Sequence, residues 1–212
     1  MDKNAICEIT LYDFEVELAT LLAKRKNEAN RGVGAKETNF GSVKCVSSEV
    51  RDANSYAGEI GYARIRNISM DFNTAPRKGG FDFKERDGRT IDVKTRRFLK
   101  NPDLVVSNTA THSALGHCDY YVLMTGSLPS KDFYLHGWIR EKDIISETML
   151  SGEFSDGRKM ERPGYVCNTS EMIKVYPSKA DVVVRCACCR ENTPWGDKGA
   201  LCRSCEDMMC SR

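Results

Sequence analysis

Residues 81–94 read FDFKERDGRTIDVK, two short runs (Phe81 to Glu85 and Thr90 to Thr95) on either side of Arg86-Asp87-Gly88-Arg89. Asp-Gly between two such runs is a strong local signal for a β-hairpin. Side chains two apart on a strand share a face, so Asp92 and Lys94 point the same way. The length of the turn then decides where Asp82 goes. A two-residue loop, Asp87-Gly88, pairs Asp82 with Val93 and sends the two aspartates to opposite faces. A three-residue loop, Arg86 to Gly88, pairs Glu85 with Arg89 and Asp82 with Asp92, and it predicts a positive φ at Gly88 with a G1 bulge. A bulge elsewhere in the hairpin would bring the carboxylates together equally well.

Upstream, Thr10 and Asp13 have the spacing of a capping box. With Leu11, Phe14, Leu18, Leu21, Leu22 and Arg25 at helical intervals, they predict a helix from about Leu11 to Asn30. Gly32, Gly34 and the polar run from Lys36 to Ser48 read as a loop. A second amphipathic helix is expected from Asp52 to Asn67, burying Tyr56, Ile60 and Ala63 and weakened by Gly58 and Gly61. Glu59 falls at the rim of its buried face. Downstream, Leu104 to Ser107, Tyr120 to Thr125 and Phe133 to Ile139 read as strands, and Thr109 to Leu115 as a short helix between two of them. Pro163 to Lys179 reads as irregular. Trp138 and the pair Tyr120-Tyr121 lie in apolar strand runs, where core packing is the expected role.

The chain has 212 residues, 41% hydrophobic and 29% charged, the composition of a soluble folded protein. That length suits one main domain, 1–165, and a tail, 166–212, too short to bury a core of its own. No run of eighteen apolar residues is present, and MDKNAICEIT lacks the basic-then-apolar order of an export signal, so a cytoplasmic protein without a membrane span is expected. The net charge is only +2, but Lys84 to Lys100 holds seven basic against three acidic residues. This surplus marks Lys84, Arg96 and Arg97 as candidate contacts to nucleic acid.

Ten cysteines divide into four scattered at 7, 45, 118 and 167 and six crowded between 186 and 210. Cys186-x2-Cys189 and Cys202-x2-Cys205, twelve residues apart, have the spacing of a four-cysteine zinc ribbon, each pair turning two thiolates toward one tetrahedral ion. Cys188 offers a competing register and Cys210 a competing fourth ligand. Four thiolates leave no open coordination position, so this zinc is expected to be structural. His112 and His117 have no metal spacing and are expected to be structural or exposed rather than catalytic.

Hydrolysis of a phosphodiester needs an attacking water and neutralisation of the charge that builds on phosphorus and on the leaving oxygen. Hard divalent cations held by carboxylates provide these. Asp-x-Lys alone is commonplace and would be a solvated ion pair on an exposed strand. A helix carrying a glutamate, a hairpin with aspartate on one strand and Asp-x-Lys on the next, and an Arg96-Arg97 continuation form a much rarer conjunction.

Gly58-Glu59-Ile60, Gly79-Gly80-Phe81-Asp82, Ile91-Asp92-Val93-Lys94-Thr95, Cys118-Asp119-Tyr120-Tyr121-Val122-Leu123 and His136-Gly137-Trp138-Ile139 occur in that order. The order resembles the PD-(D/E)xK nuclease superfamily, particularly small phage-encoded members, over about Leu11 to Ile145. The residue before Asp82 is Phe81 rather than proline. The resemblance implies an α/β restriction-endonuclease-like core, a mixed central sheet flanked by helices, with a Mg²⁺ or Mn²⁺ site. Asp82 and Asp92 would be metal ligands, Glu59 an outer or second-metal ligand, and Lys94 the residue that orients water. DNA is the expected substrate and a prokaryotic host cell the expected setting. A catalytically inactive DNA-binding or regulatory protein of the same fold, touching its target through the zinc ribbon, is the alternative.

Overall fold

In the computed structural model the described residues are 5–32, 47–70, 72, 74, 80–97, 102–108, 115–174, 184–185 and 192–193. The chain divides into two units, Met1–Lys174 and Val175–Arg212. The first unit is mixed α/β. A short strand β1 (Cys7–Thr10) leads into helices α1 (Asp13–Gly32) and α2 (Ser48–Arg66). Strands β2 (Phe83–Lys84), β3 (Thr90–Arg96), β4 (Asp103–Ser107), β5 (Tyr120–Thr125) and β6 (Asp132–Arg140) follow. The unit ends with one helical turn, α3 (Glu141–Ile144), and the strands β7 (Leu150–Glu153) and β8 (Lys159–Asn168).

Five strands form a mixed sheet in the order β1-β6-β5-β3-β2, in which β3 and β5 run parallel and the other neighbours antiparallel. A second, antiparallel sheet has the order β4-β8-β7. Leu104 and Val106 of β4, Tyr165 and Cys167 of β8, and Tyr121 and Leu123 of β5 are buried together with Ile139 and Ile144, joining the two sheets through one apolar core. Trp138 and Tyr121 are buried, as their apolar surroundings predict.

Helix α1 differs from its expected pattern. Phe14 and Leu21 are 63% and 45% exposed, while Glu15, Ala19, Leu22, Ala23 and Asn27 form the inward stripe. The polar members are buried because distant partners satisfy them. Arg64 of α2 meets Glu15 at 2.8 Å. Asn27 donates to Asp52 at 2.7 Å and accepts from the Ser48 hydroxyl at 2.7 Å. The start of α1 is capped differently too: Glu15 takes the Tyr12 N–H at 2.8 Å, and the Thr10 hydroxyl is turned to Asp132 at 2.8 Å.

Helix α2 begins at Ser48, with the Ser47 hydroxyl accepting the Val50 N–H, and ends on Asn67 in the left-handed conformation at φ 51°. Its two interior glycines mark close approach rather than weakness. A Cβ on Gly58 would stand 2.9 Å from Cγ2 and 3.0 Å from Cβ of Thr95 on β3, and closer still to the hydroxyl oxygen. One on Gly61 would stand 3.2 Å from Ile9 on β1.

One further reading is corrected. Residues 163–168, expected to be irregular, belong to β8, and Ile173 forms a bridge with Trp138. Strand β1, which no pattern in the sequence announced, pairs with β6 from Cys7↔Leu135 to Thr10↔Asp132. The boundary expected after residue 165 falls inside β8. Residues 109–114, where a short helix was expected, lie outside the described residues.

In the second unit the described residues are β9 (Val184–Arg185) and β10 (Asn192–Thr193), an antiparallel pair. Cys186, Cys189, Cys202 and Cys205, with Cys188 and Cys210, lie outside the described residues. Among the described residues no helix is long and apolar enough to cross a membrane.

Candidate catalytic centre

The β2–β3 hairpin takes the three-residue turn. Glu85 N–H donates to Arg89 C=O at 2.8 Å, and Gly88 N–H donates to Glu85 C=O at 3.0 Å with Gly88 at φ 92°, the hydrogen-bond pattern of a G1 bulge. Asp87 fastens the turn by accepting from the Arg89 backbone N–H at 3.0 Å and its Nε at 2.6 Å. The register is Lys84↔Thr90 and Phe83↔Ile91. One more step would set Asp82 opposite Asp92, but the ladder stops at Phe83. Asp82 lies in a bend, its N–H goes to Ile91 C=O at 2.8 Å, and its Oδ2 accepts the Val93 N–H at 2.7 Å. Asp82 therefore meets β3 through its side chain rather than as a ladder partner of Asp92.

Asp92 is buried in the middle of β3. Lys94 Nζ lies 2.6 Å from its Oδ1 and 2.8 Å from its Oδ2, the adjacency expected of residues two apart on one strand. Glu59 is half-buried on α2, beside the glycine that packs against Thr95, and its Oε1 accepts from the Ser55 hydroxyl at 3.4 Å.

The charges of these groups act on one another. Burial raises the Glu59 carboxyl well above its ordinary range; Asp82 and then Asp92 add to the rise, while Lys26 and Lys94 oppose it. Burial and the Asp92 charge push Asp82 up to about 7, against Lys94 and the Val93 hydrogen bond. Burial works against ionisation of Asp92 as well, but Lys94 and a hydrogen bond from His117 outweigh it and hold this carboxyl below its ordinary range. Burial would lower the Lys94 ammonium, yet Asp92 and Asp82 keep it raised. Asp92 thus raises Asp82, and both raise Glu59, against Lys94 and Lys26, a cluster of acids whose ionised forms would suit a hard cation with oxygen ligands. In this conformation Lys94 takes both oxygens of Asp92, and no group of three or more His, Cys, Asp or Glu side chains stands at metal-holding distance among the described residues.

The candidate nucleic-acid contacts separate. Lys84 and Arg97 are exposed. Arg96 is half-buried, with its guanidinium 5.8 Å from the Phe154 ring centroid. Burial lowers its pKa, with Arg158 adding to the shift and Asp103 opposing it.

His117 is the residue that sequence reasoning set aside. Its Nε2 lies 2.8 Å from Asp92 Oδ2, with both side chains 5% exposed. Parallel pairing of β3 with β5, which sets Asp92 beside Tyr121, carries the segment just before β5 to the aspartate. No spacing within the sequence reveals a neighbour delivered that way.

No family model, curated protein or solved structure matches this chain.

Proposed function

We propose that the protein is a divalent-metal-dependent nuclease with a restriction-endonuclease-like core, hydrolysing phosphodiester bonds in DNA and encoded by a phage or mobile element. The observation that carries this reading is the gathering of Asp82 and Lys94 about Asp92 on β3: Lys94 Nζ lies 2.6 Å from Asp92 Oδ1 and Asp82 Oδ2 accepts the Val93 N–H at 2.7 Å, while Glu59 on α2 lies near enough for both aspartates to raise its carboxyl.

Asp82 and Asp92 would hold Mg²⁺ or Mn²⁺, with Glu59 as an outer or second ligand. Such an ion supplies positive charge to the phosphoryl and leaving oxygens and acidifies water. Lys94 orients the attacking water; its ammonium, kept protonated by Asp92 and Asp82, is a donor rather than a base. As the water oxygen bonds to phosphorus, the bond from phosphorus to the leaving oxygen breaks, the proton that the water gives up passes through solvent to the leaving oxygen, and Lys94 stands ready to offset the added negative charge. In the tail, Cys186, Cys189, Cys202 and Cys205 would bind one structural Zn²⁺.

The second reading is a non-catalytic DNA-binding or regulatory protein of the same fold that touches its target through the ribbon; Lys94 closed on both oxygens of Asp92 favours it, whereas the presence of Glu59, Asp82, Asp92 and Lys94 together favours the nuclease. One experiment separates the two. Plasmid, single-stranded DNA, branched DNA and RNA are incubated with the full chain and Mg²⁺ or Mn²⁺, beside Asp92→Ala. Cleavage of DNA by the wild type alone is the expected result; equal cleavage by both proteins, or none by either, would refute the nuclease reading.

A further inference from the structure

His117 is held from three sides. Glu141, buried in the first position of α3, turns its carboxylate onto three successive backbone N–H groups: Gly116 at 2.5 Å, His117 at 2.8 Å and Cys118 at 3.1 Å. Gly116 makes the turn at φ 105°, a conformation that side chains rarely adopt. The imidazole lies nearly parallel to the Tyr121 ring, 10° between planes and 6.2 Å between centroids. Its Nε2 ends 2.8 Å from Asp92 Oδ2. An ionised carboxylate can only accept, so Nε2 carries the hydrogen and donates it.

We propose that His117 is a positioning residue for the cation site of the nuclease reading above: its Nε2–H pins Oδ2 of Asp92, so that Oδ1 is the oxygen offered to a divalent cation. The inference rests on that reading. Lys94 and His117 both touch Asp92 but differ in freedom. The lysine is a four-carbon stem with 29% of its side chain exposed, and it can withdraw when a cation competes for Oδ1. The histidine is buried, stacked and tied through its backbone to Glu141, so it stays. Groups that orient a metal-binding carboxylate in this way typically change metal affinity by about ten- to a hundredfold when removed.

The test is Mn²⁺ binding to the full chain, read from the loss of the free-ion paramagnetic resonance signal, for wild type, Asp92→Ala, His117→Ala, His117→Gln and His117→Asn. The amide nitrogen of glutamine reaches the place of Nε2, whereas that of asparagine reaches only the place of Nδ1. The expected result is binding lost in Asp92→Ala, weakened about ten- to a hundredfold in His117→Ala and His117→Asn, and kept near wild type in His117→Gln. Should the alanine variant fail to fold, the Gln–Asn contrast decides alone. Equal weakening in Gln and Asn, or wild-type affinity in all three while Asp92→Ala binds nothing, overturns this inference and leaves the metal reading standing. A wild type that binds no Mn²⁺ removes both.

Discussion

Gly58→Ala sets helix propensity against packing, and the distances say which wins. In an exposed helix interior the change would stabilise by about 1 kcal/mol, because alanine loses less backbone entropy. Here the added methyl meets Thr95: 2.9 Å to Cγ2 and 3.0 Å to Cβ, with the hydroxyl oxygen nearer still. Rotating the threonine moves Oγ1 and Cγ2 but not Cβ, so part of the overlap has no side-chain escape. Overpacking of this kind costs about 1–3 kcal/mol, and its upper end applies where the neighbour is tied to a sheet. The expected net loss is about 1–2 kcal/mol, a fall in melting temperature of about 2–8 °C for a domain of this size. Circular dichroism melts of the full chain measure it. Thr95→Ala should recover part of the loss in the double variant, because it removes two of the three contacts. A Gly58→Ala protein melting at or above wild type would refute the reasoning and with it the close seating of α2 on β3. Glu59 is the next residue, so a shift of about 1 Å in α2 should also cost up to a hundredfold in cleavage.

Asp82→Asn should stabilise the cation-free protein in a pH-dependent way. The wild-type carboxyl is raised from 3.8 to about 7 on folding, so its favourable contribution is complete below the unfolded value and is lost as pH rises through 7. Urea midpoints should therefore nearly coincide at pH 4, while at pH 8 the variant gains up to about 4 kcal/mol, reduced by water at this half-buried group; a gap independent of pH would contradict the coupling. Asp82→Ala, Asp92→Ala and Lys94→Ala should each lower plasmid cleavage by at least about a hundredfold with the fold intact, and full activity in Asp92→Ala would sink the site assignment. Elemental analysis of protein purified without chelator should find about one zinc per chain, bound through Cys186, Cys189, Cys202 and Cys205, since so small a tail needs a metal to fold; absence of zinc would count against the ribbon.

Legibility in the sequence followed the range of the forces involved. The hairpin turn and the positive φ of Gly88 were readable because Asp87, Gly88 and Arg89 fix them among neighbours, whereas the expected pairing of Asp82 with Asp92 fails because the ladder stops at Phe83. Helix α1 was readable as a helix but not in its inward face, since Glu15 and Asn27 are buried through Arg64, Asp52 and Ser48, far along the chain. Strand β8 was hidden by Pro163 and Gly164, yet Gly164 is where a Cβ would come within 3.0 Å of the Val106 carbonyl, so the apparent breaker is a close-packing position. His117 was weighed on histidine spacing alone, and its meeting with Asp92 depends on a parallel crossover that no local pattern encodes.

The bend at Asp82 shows why the site is not a simple product of strand alternation. Along β3, Thr95 reaches toward α2, where its hydroxyl donates to Ser55 C=O at 3.4 Å, while Asp92 and Lys94 meet His117 and the Tyr121 ring. Alternation therefore places α2, and Glu59 with it, on the side of the sheet away from Asp92. A ladder continued by one pair would put Asp82 opposite Asp92 on the His117 side and leave Glu59 with no carboxylate partner across the strand. By leaving the ladder, Asp82 instead bonds a backbone N–H that lies in the plane of the sheet, at its edge. From there its charge is the strongest that Glu59 feels, and it is itself raised chiefly, after burial, by Asp92. One residue out of register thus links a carboxylate on the helix to a carboxylate inside the strand. Restoring regular pairing at Asp82 would remove that link even with every acidic residue kept.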